Sequence, residues 1–542
     1  MAVANGRSLY VKLDHSFPAT ALVVPQPRRT ATEWGPALAW PPLAWPMALA
    51  ALALATVLVR TRYLGDPLID VDEQFYLLVG DRMLHGAIPY VDIWDRKPVG
   101  LFLLYAAIRL LGGAGIVQYQ LIAAGFAAAT AVMIAWAARR IASPGAALVA
   151  GLSYAPALAM SGGAGGQTPV FYNLPMIVAV WLVLRVAAPQ GGRAATMGAI
   201  RRHGAAAMLL VGVALQIKYS AVFEGIYLGL VLSWLGWRRA PGATRLADMA
   251  LWAGLALLPT ALALGWYVAI GQGHAFVFAN FTSIFERGGV PFHQEAANLR
   301  RILVRLLPFA LAIGVGARLI RSAPHPWATL AHERAARRFL AGWLAVAVTG
   351  FAAFGTFFDH YALPLLPPLA VVAAPAFAIR RGHAGAIIAA VVLLALYIPY
   401  PLDARKIERR HGDAATARAL AAAIAPRLHG RCLYVFYGDP ILYQLTHSCL
   451  PTRWPFPFHL SLWREAPALG VDAMAEERRI LAARPPVIVD RITNDPAINR
   501  PVQAIVRAEL KRDYRLVFSQ PLGPGGTGFR SANLVWARVP GR

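Results

Sequence analysis

The sequence predicts a polytopic α-helical membrane protein of about eleven spans, followed by a small C-terminal α/β domain. Three observations predict this. Of 542 residues, 58% are hydrophobic and only 15% are charged, whereas a soluble domain carries about 25% charged residues. Much of the apolar content lies in runs of about 17–24 residues, the length that crosses a hydrocarbon core of about 30 Å. After about residue 400 charge rises, and short apolar strands alternate with helical segments.

Residues 1–44 contain Arg7, Lys12, Arg28 and Arg29, several prolines and no long apolar run, and read as a disordered basic cytoplasmic tail. Charged region and apolar core are too far apart for a cleavable signal peptide. A membrane domain is expected over 45–399, with its first span at 45–59 and a first outer loop at 62–98. Lys97–Leu111 is apolar but opens on Lys-Pro and carries Arg109, and it reads as a helix at the membrane surface. Later spans are expected at 115–138, 144–160, 169–188, 204–219, 220–237, 248–270, 302–320, 339–357, 361–379 and 384–399. The break between Lys218 and Glu224 can be placed in more than one way.

The net charge of +25 raises nucleic acid as a partner, but its placement argues for a bilayer. Arg139-Arg140, Arg201-Arg202, Arg238-Arg239, Arg337-Arg338 and Arg380-Arg381 punctuate the apolar runs. Short basic loops stay cytoplasmic. With the N-terminus inside, all five clusters fall inside; the acidic first loop, the 271–301 loop and the segment after 399 fall outside. The Ala, Arg, Gly and Pro bias is that of a GC-rich bacterial sequence, so the expected location is the inner membrane with the C-terminal domain periplasmic.

In the expected C-terminal domain, 400–542, strands are read at 432–437 and 486–490, with weaker ones at 514–519 and 533–539, and helices near 413–428 and 472–484. Both cysteines, Cys432 and Cys449, lie here. An oxidising compartment permits a disulfide, and two buried free thiols fit equally well. Neither metal-ligand spacing nor a phosphate-binding glycine loop is recognisable. Gly162-Gly163-Ala164-Gly165-Gly166 follows no strand and reads as a flexible turn.

Seven of the 27 acidic residues fall between Asp66 and Asp95. Carboxylates beside hydrocarbon are costly, roughly 2.5–3.5 kcal/mol each at a helix centre, so their clustering marks a candidate site. Outward carboxylates at a membrane edge suit transfer of a sugar from a lipid phosphate to a hydroxyl. A carboxylate takes the acceptor proton, and cations receive the anionic leaving group. Asp70, Asp72 and Glu73 supply bases; Arg96, Lys97 and Lys218 supply cations. The same residues also fit a plainer role, as Asp-Val-Asp-Glu is a common solvated helix start and Lys-Pro can mark the beginning of a helix.

The chain resembles the GT-C superfamily of membrane glycosyltransferases that use polyprenyl-phosphate sugars. Within it the similarity is to glycosyltransferase family 39-like bacterial relatives of the protein O-mannosyltransferases and of the aminoarabinose transferase that modifies lipid A. The landmarks are Asp72-Glu73-Gln74-Phe75-Tyr76, Pro89-Tyr90-Val91-Asp92-Ile93-Trp94-Asp95-Arg96-Lys97-Pro98, Phe358-Asp359-His360-Tyr361 and Tyr437-Gly438-Asp439-Pro440. The resemblance implies that Asp72 is the catalytic carboxylate, and the acidic cluster around it makes Asp70 or Glu73 the expected orienting group. It further implies that Lys97 lies near the donor phosphate and that Lys218, His360 and Tyr361 match a family lysine and a His-Tyr pair at the outer face. Arg96 stands where many relatives have His or Glu; it is expected to join Lys97 and Lys218 at the phosphate, and Tyr76, Asp95, His360 and Tyr361 are expected to contact substrate. His360 fits equally as a structural cap of its turn. Many relatives carry a carboxylate where this chain has Gln167-Thr168 and Asn173, which puts a divalent metal there in doubt; no cofactor is required. The expected partners are the polyprenyl-phosphate donor, a glycan, lipid or protein acceptor, and the bilayer. The alternative is a flippase or transporter of a lipid-linked sugar, for which internal repeats and broken helices at mid-membrane are the usual signature.

Overall fold

The first helix, α1 (Ala44–Arg60), is followed by α2 (Val71–Met83) and the eleven-residue α3 (Val99–Arg109). The bundle continues with α4 (Ile116–Ala138), α5 (Pro144–Leu158), α6 (Thr168–Ala187), α7 (Met197–Leu215), α8 (Val222–Trp237) and α9 (Gly242–Ala269). Two short helices, α10 (Gly273–Val277) and α11 (Ser283–Glu286), precede α12 (Phe292–Ser322), α13 (Ala331–Phe354), α14 (Leu366–Phe377) and α15 (Ala384–Tyr397). This computed structural model describes residues 43–190, 194–239, 242–322, 331–379, 381–523 and 529–540; the expected basic tail falls almost wholly outside them. Among the described residues eleven helices are long and apolar enough to cross a membrane, in the expected order along the chain. Three of them start earlier than the expected 204, 302 and 339: α7 at Met197, α12 at Phe292 and α13 at Ala331, so α12 takes in the end of the expected 271–301 loop. At a rise of about 1.5 Å per residue, α3 is too short to cross.

Small residues set the centre of the bundle. Along α5, Ala146, Ala147, Ala150 and Gly151 are buried, and a Cβ on Gly151 would meet the Ala131 carbonyl at 2.8 Å. Such positions let backbones approach without hydrocarbon between them. Helix α5 thereby packs on α4, α14 and α15, and α6 packs on α4, α7 and α8. The break left open in the sequence lies at Lys218, whose backbone is extended (φ −157°, ψ 126°) between α7 and the turn that opens α8.

Beyond α15 come α16 (Tyr400–His411), α17 (Ala414–Ile424), β1 (Tyr434–Val435), α18 (Ile441–Leu445), α19 (Pro457–Ser461), α20 (Ala473–Ala482), β2 (Val487–Ile492), α21 (Arg500–Asp513), β3 (Tyr514–Pro521) and β4 (Ala532–Arg538). The sheet order is β1-β2-β4-β3, with β1 parallel to β2 and the other pairs antiparallel. The expected strand at 432–437 shortens to two residues, because only Tyr434 and Val435 find partners, Ile488 and Val489, on β2. Helix α21 went unread although Val502, Val506 and Leu510 bury one face at a spacing of four and Pro501 pre-sets its first turn. Cys432 and Cys449 are joined by a disulfide.

Trp94, from the loop after α2, is buried in the same apolar cluster as Tyr434, Ile480, Ile488 and Val506. Its backbone N–H donates to the Arg453 carbonyl at 2.7 Å. The acidic loop and the sheet therefore share a core, and this fixes where the loop's charged residues can point.

Candidate active site

Helix α2 begins at Asp70, whose carboxylate caps it by accepting the Asp72 N–H at 2.8 Å. Asp72 then sits in the first turn, where the helix dipole favours a negative charge. Successive helical residues are about 100° apart, so Asp72 and Glu73 face different ways. The structure places Asp70 and Asp72 on the wall of a cavity of about 440 Å³. It turns Glu73 away from that wall into the glycine segment before α6, where a Cβ on Gly165 would fall 1.8 Å from Glu73 Oε2. That segment is not the flexible turn expected. Arg60 donates to the Gly163 and Gly165 carbonyls and Tyr105 to the Gly166 carbonyl, and the glycines are what let it lie against α2. Burial pushes the Glu73 carboxyl up to about 7.

Lys97 is positioned by an aromatic frame. Tyr90, held at φ +70°, donates its hydroxyl to the Lys97 carbonyl at 2.7 Å, and its ring packs on Phe102, Tyr267 and Phe276. The Lys97 Nζ lies 5.4 Å from the centre of the Tyr76 ring. Tyr76 is thus behind the lysine, fully buried, and not on the cavity wall. The Lys218 Nζ lies 4.6 Å from the Tyr361 ring centre. Among the described residues neither ammonium has a carboxylate within 4.0 Å. Both line the cavity with Asp95, His360 and Tyr361.

Charge is arranged unevenly over this wall. Burial pushes the Asp72 carboxyl up, but Lys97, His360, the Gln167 amide and Lys218 outweigh it, so Asp72 is held below the usual carboxylate range. Burial and the neighbouring Asp72 and Glu73 charges push Asp70 well above that range. Burial also raises Asp95. For Lys97, burial is outweighed by Asp95 and Asp72, which keep it charged. Burial and the neighbouring Lys97 charge bring Lys218 down to about 7, against the pull of Asp72. Two carboxyls whose environments push them apart are the pattern of one base and one helper.

Arg96 lines the cavity but is committed elsewhere than expected. Its guanidinium bonds Glu465 at 2.7 Å and stacks on Trp94 at 4.9 Å. Arg287 and Arg464 approach the same carboxylate at 2.6 and 3.4 Å. Burial raises Glu465, but Arg96 and Arg287 hold it down at about 2. Three guanidiniums on one carboxylate leave this end of the cavity positive. Sequence reading missed Arg287, Arg464, Glu465, His459 and Gln167. The first four come from the loop before α12 and from beyond α18, far in sequence from the acidic loop, and no local pattern marks them. Gln167 was noted only for the carboxylate it lacks. Its Nε2 donates to Asp70 at 3.0 Å and to Asp72 at 2.9 Å. Asn173, noted with it, is structural: it donates to the Tyr154 hydroxyl and to the Leu363 carbonyl. Among the described residues no group of three His, Cys, Asp or Glu side chains could hold a metal ion.

A second cavity has a volume of about 1260 Å³. Its walls are almost wholly apolar and include Leu103, Leu104, Phe126, Leu262 and Trp266. Their linings are neighbours in the chain beside both lysines: Pro98 lines the first and Val99 the second, and Lys218 lines the first and Ile217 the second.

No protein-family model matches the chain, and no curated protein matches it. Solved structures do. ArnT from Cupriavidus metallidurans, in a crystal structure bound to undecaprenyl phosphate, superposes with a TM-score of 0.58 at 15% identity over 92% of this chain and 99% of that one. The oligosaccharyltransferase AglB from Archaeoglobus fulgidus, in complex with an inhibitory peptide and a dolichol-phosphate, gives a TM-score of 0.52 at 12% identity over 92% of this chain and 74% of that one. The chain has the GT-C fold. The expected fold class is thereby borne out.

Proposed function

We propose that this protein is an integral-membrane glycosyltransferase that moves a sugar from a polyprenyl-phosphate donor to an acceptor hydroxyl. The observation that carries this reading is that the polar and apolar cavities are lined by chain neighbours beside both lysines, Pro98 and Val99 after Lys97, and Ile217 before Lys218. A lipid phosphate fits this arrangement, with its anionic head between two ammoniums and its tail in the apolar cavity. The sugar then projects into the polar cavity, toward Asp72. Asp72 takes the acceptor hydroxyl proton as the new glycosidic bond forms. The bond from the anomeric carbon to the phosphate oxygen breaks, and Lys97 and Lys218 stabilise the charge that gathers there. Asp70 orients Asp72. Arg287 and Arg464, which share Glu465 with Arg96, line the same polar cavity as His360 and Tyr361, and there they meet the donor or acceptor. The lipid phosphates held by the ArnT and AglB structures support the donor class.

The side of the membrane follows from charge. With arginine clusters inside, the acidic loop, the loop before α12 and the sheet face the non-cytoplasmic side, the periplasm of a bacterial inner membrane. Both native cysteines are bonded to each other, so single cysteines at the exposed positions Asp92, His293 and Arg478 can be read in an otherwise native chain. All three are expected to label with an impermeant thiol reagent in intact cells. Labelling only after the cytoplasmic side is opened contradicts the orientation.

A pH dependence is expected from Lys218. A sugar phosphodiester keeps one negative charge across the neutral range, so the change comes from the protein. With Lys218 brought down to about 7, its charged form predominates below that pH and is lost above it. Donor affinity should therefore fall as pH rises through about 7, by about tenfold or more for loss of a charge-assisted bond. Lys218→Arg, always charged, should flatten the curve; an identical slope in the variant removes Lys218 from the phosphate site. The reading as a whole is tested in cells. Deleting the protein should leave a lipid-linked sugar in excess and remove one modification from an envelope glycan, lipid or protein. Unchanged pools of both contradict it.

A further inference from the structure

We propose that the Gln167 carboxamide fills the cation position of the Asp70–Asp72 pair, so that transfer runs without a divalent metal between these carboxylates. This rests on the transferase reading above. Gln167 is 1% exposed and ends the glycine segment that Arg60 and Tyr105 pin to α1 and α3. Its Nε2 donates one hydrogen to Asp70 Oδ1 at 3.0 Å and the other to Asp72 Oδ2 at 2.9 Å. Its Oε1 accepts the Thr168 N–H at 3.2 Å. Turned over, the amide would set an oxygen against two carboxylate oxygens and a nitrogen against a backbone N–H. Both contacts are repulsive, so the orientation is fixed by its surroundings.

Both amide hydrogens are thus committed to the pair, and an amide nitrogen facing inward offers a metal no lone pair. Lys97 and Lys218 already act on Asp72, so a divalent ion beside it would meet their positive charge. A carboxylate in place of Gln167 reverses this balance, adding a third ligand and removing the donor that separates the other two. Gln167 acts through Asp72 and is a positioning residue. It holds Asp72 at a fixed angle and favours its ionised form without adding a net charge.

The test uses the full-length protein in nanodiscs. Mn²⁺ binding is followed by electron paramagnetic resonance, and turnover with a polyprenyl-phosphate sugar is measured over pH with EDTA or Mn²⁺ present. Wild type is expected to bind no Mn²⁺ that Asp72→Asn removes, and to turn over equally in EDTA. Gln167→Glu is expected to gain one Mn²⁺ per chain, lost again when Asp72→Asn is added. Gln167→Ala should move the acid limb of the rate profile up by about one to two pH units, the loss expected for a hydrogen bond to a charged group. A wild-type Mn²⁺ site dependent on Asp72, an EDTA-sensitive wild-type turnover restored by Mn²⁺, or an unmoved acid limb in Gln167→Ala each overturns the proposal. If no polyprenyl-phosphate sugar is turned over, the transferase reading fails, and the wild-type Mn²⁺ measurement still decides whether Gln167 excludes a metal.

Discussion

Asp72→Asn is expected to slow sugar transfer by about 10²–10⁴-fold, the usual contribution of a positioned general base. Asparagine keeps the shape of the side chain and can still accept the Gln167 hydrogen bond with its own oxygen. It sits on the first turn of α2, where the Asp70 cap is unchanged, so the helix start is preserved. Only basicity and one negative charge are lost. Removing that charge beside Lys97 and Lys218 takes away a competitor for the donor phosphate. Donor affinity should therefore hold or tighten while turnover collapses. Such a split marks an interaction made in the transition state. A folded variant that turns over like wild type rules out Asp72 as the base.

Lys97→Ala is expected to act on both sides of the reaction. The ammonium is charged, has no carboxylate within bonding distance among the described residues, and lines the polar cavity two residues before Val99 of the apolar one. Loss of a charge-assisted bond to phosphate should weaken donor binding by about 10–100-fold. Turnover should fall as well, because the departing lipid phosphate loses a partner when its charge is greatest. A third effect separates this role from simple anchoring. After burial, the Lys97 charge is the largest influence on Asp72 and pulls its carboxyl down. Without it Asp72 holds its proton to higher pH, and the acid limb of the rate profile should move upward. Unchanged donor affinity, rate and acid limb would make Lys97 a surface anchor only.

Much of this site was legible because its chemistry is local in sequence. Asp70 and Asp72 announce themselves as carboxylates between apolar runs, and Lys97 as a cation before a proline and an apolar helix. The spans were legible for the same reason, since length and apolarity are properties of a single segment. What escaped reading depends on partners far along the chain. Glu73 looks equivalent to Asp72 in the sequence, yet one helical step turns it into the glycine segment. Arg96 looks like a free cation until Glu465, 369 positions away, takes it up. Tyr76 looks like a ligand contact, but it lies under Lys97. The glycines at 162–166 read as a turn because their purpose, close approach to α2, is visible only when α2 is beside them. Gln167 carried a weak signal, a polar residue directly before an apolar helix, which by itself suggests no more than a cap.

The most direct test of the account is to mix purified protein in nanodiscs with a polyprenyl-phosphate sugar labelled in the sugar, together with an envelope extract as acceptor. Released lipid phosphate and transferred label are then measured together. The account predicts that both appear in equal amounts with wild type and that both fall by at least about 10²-fold with Asp72→Asn. Label that crosses the membrane while still attached to its lipid, or release that is indifferent to Asp72, would contradict it.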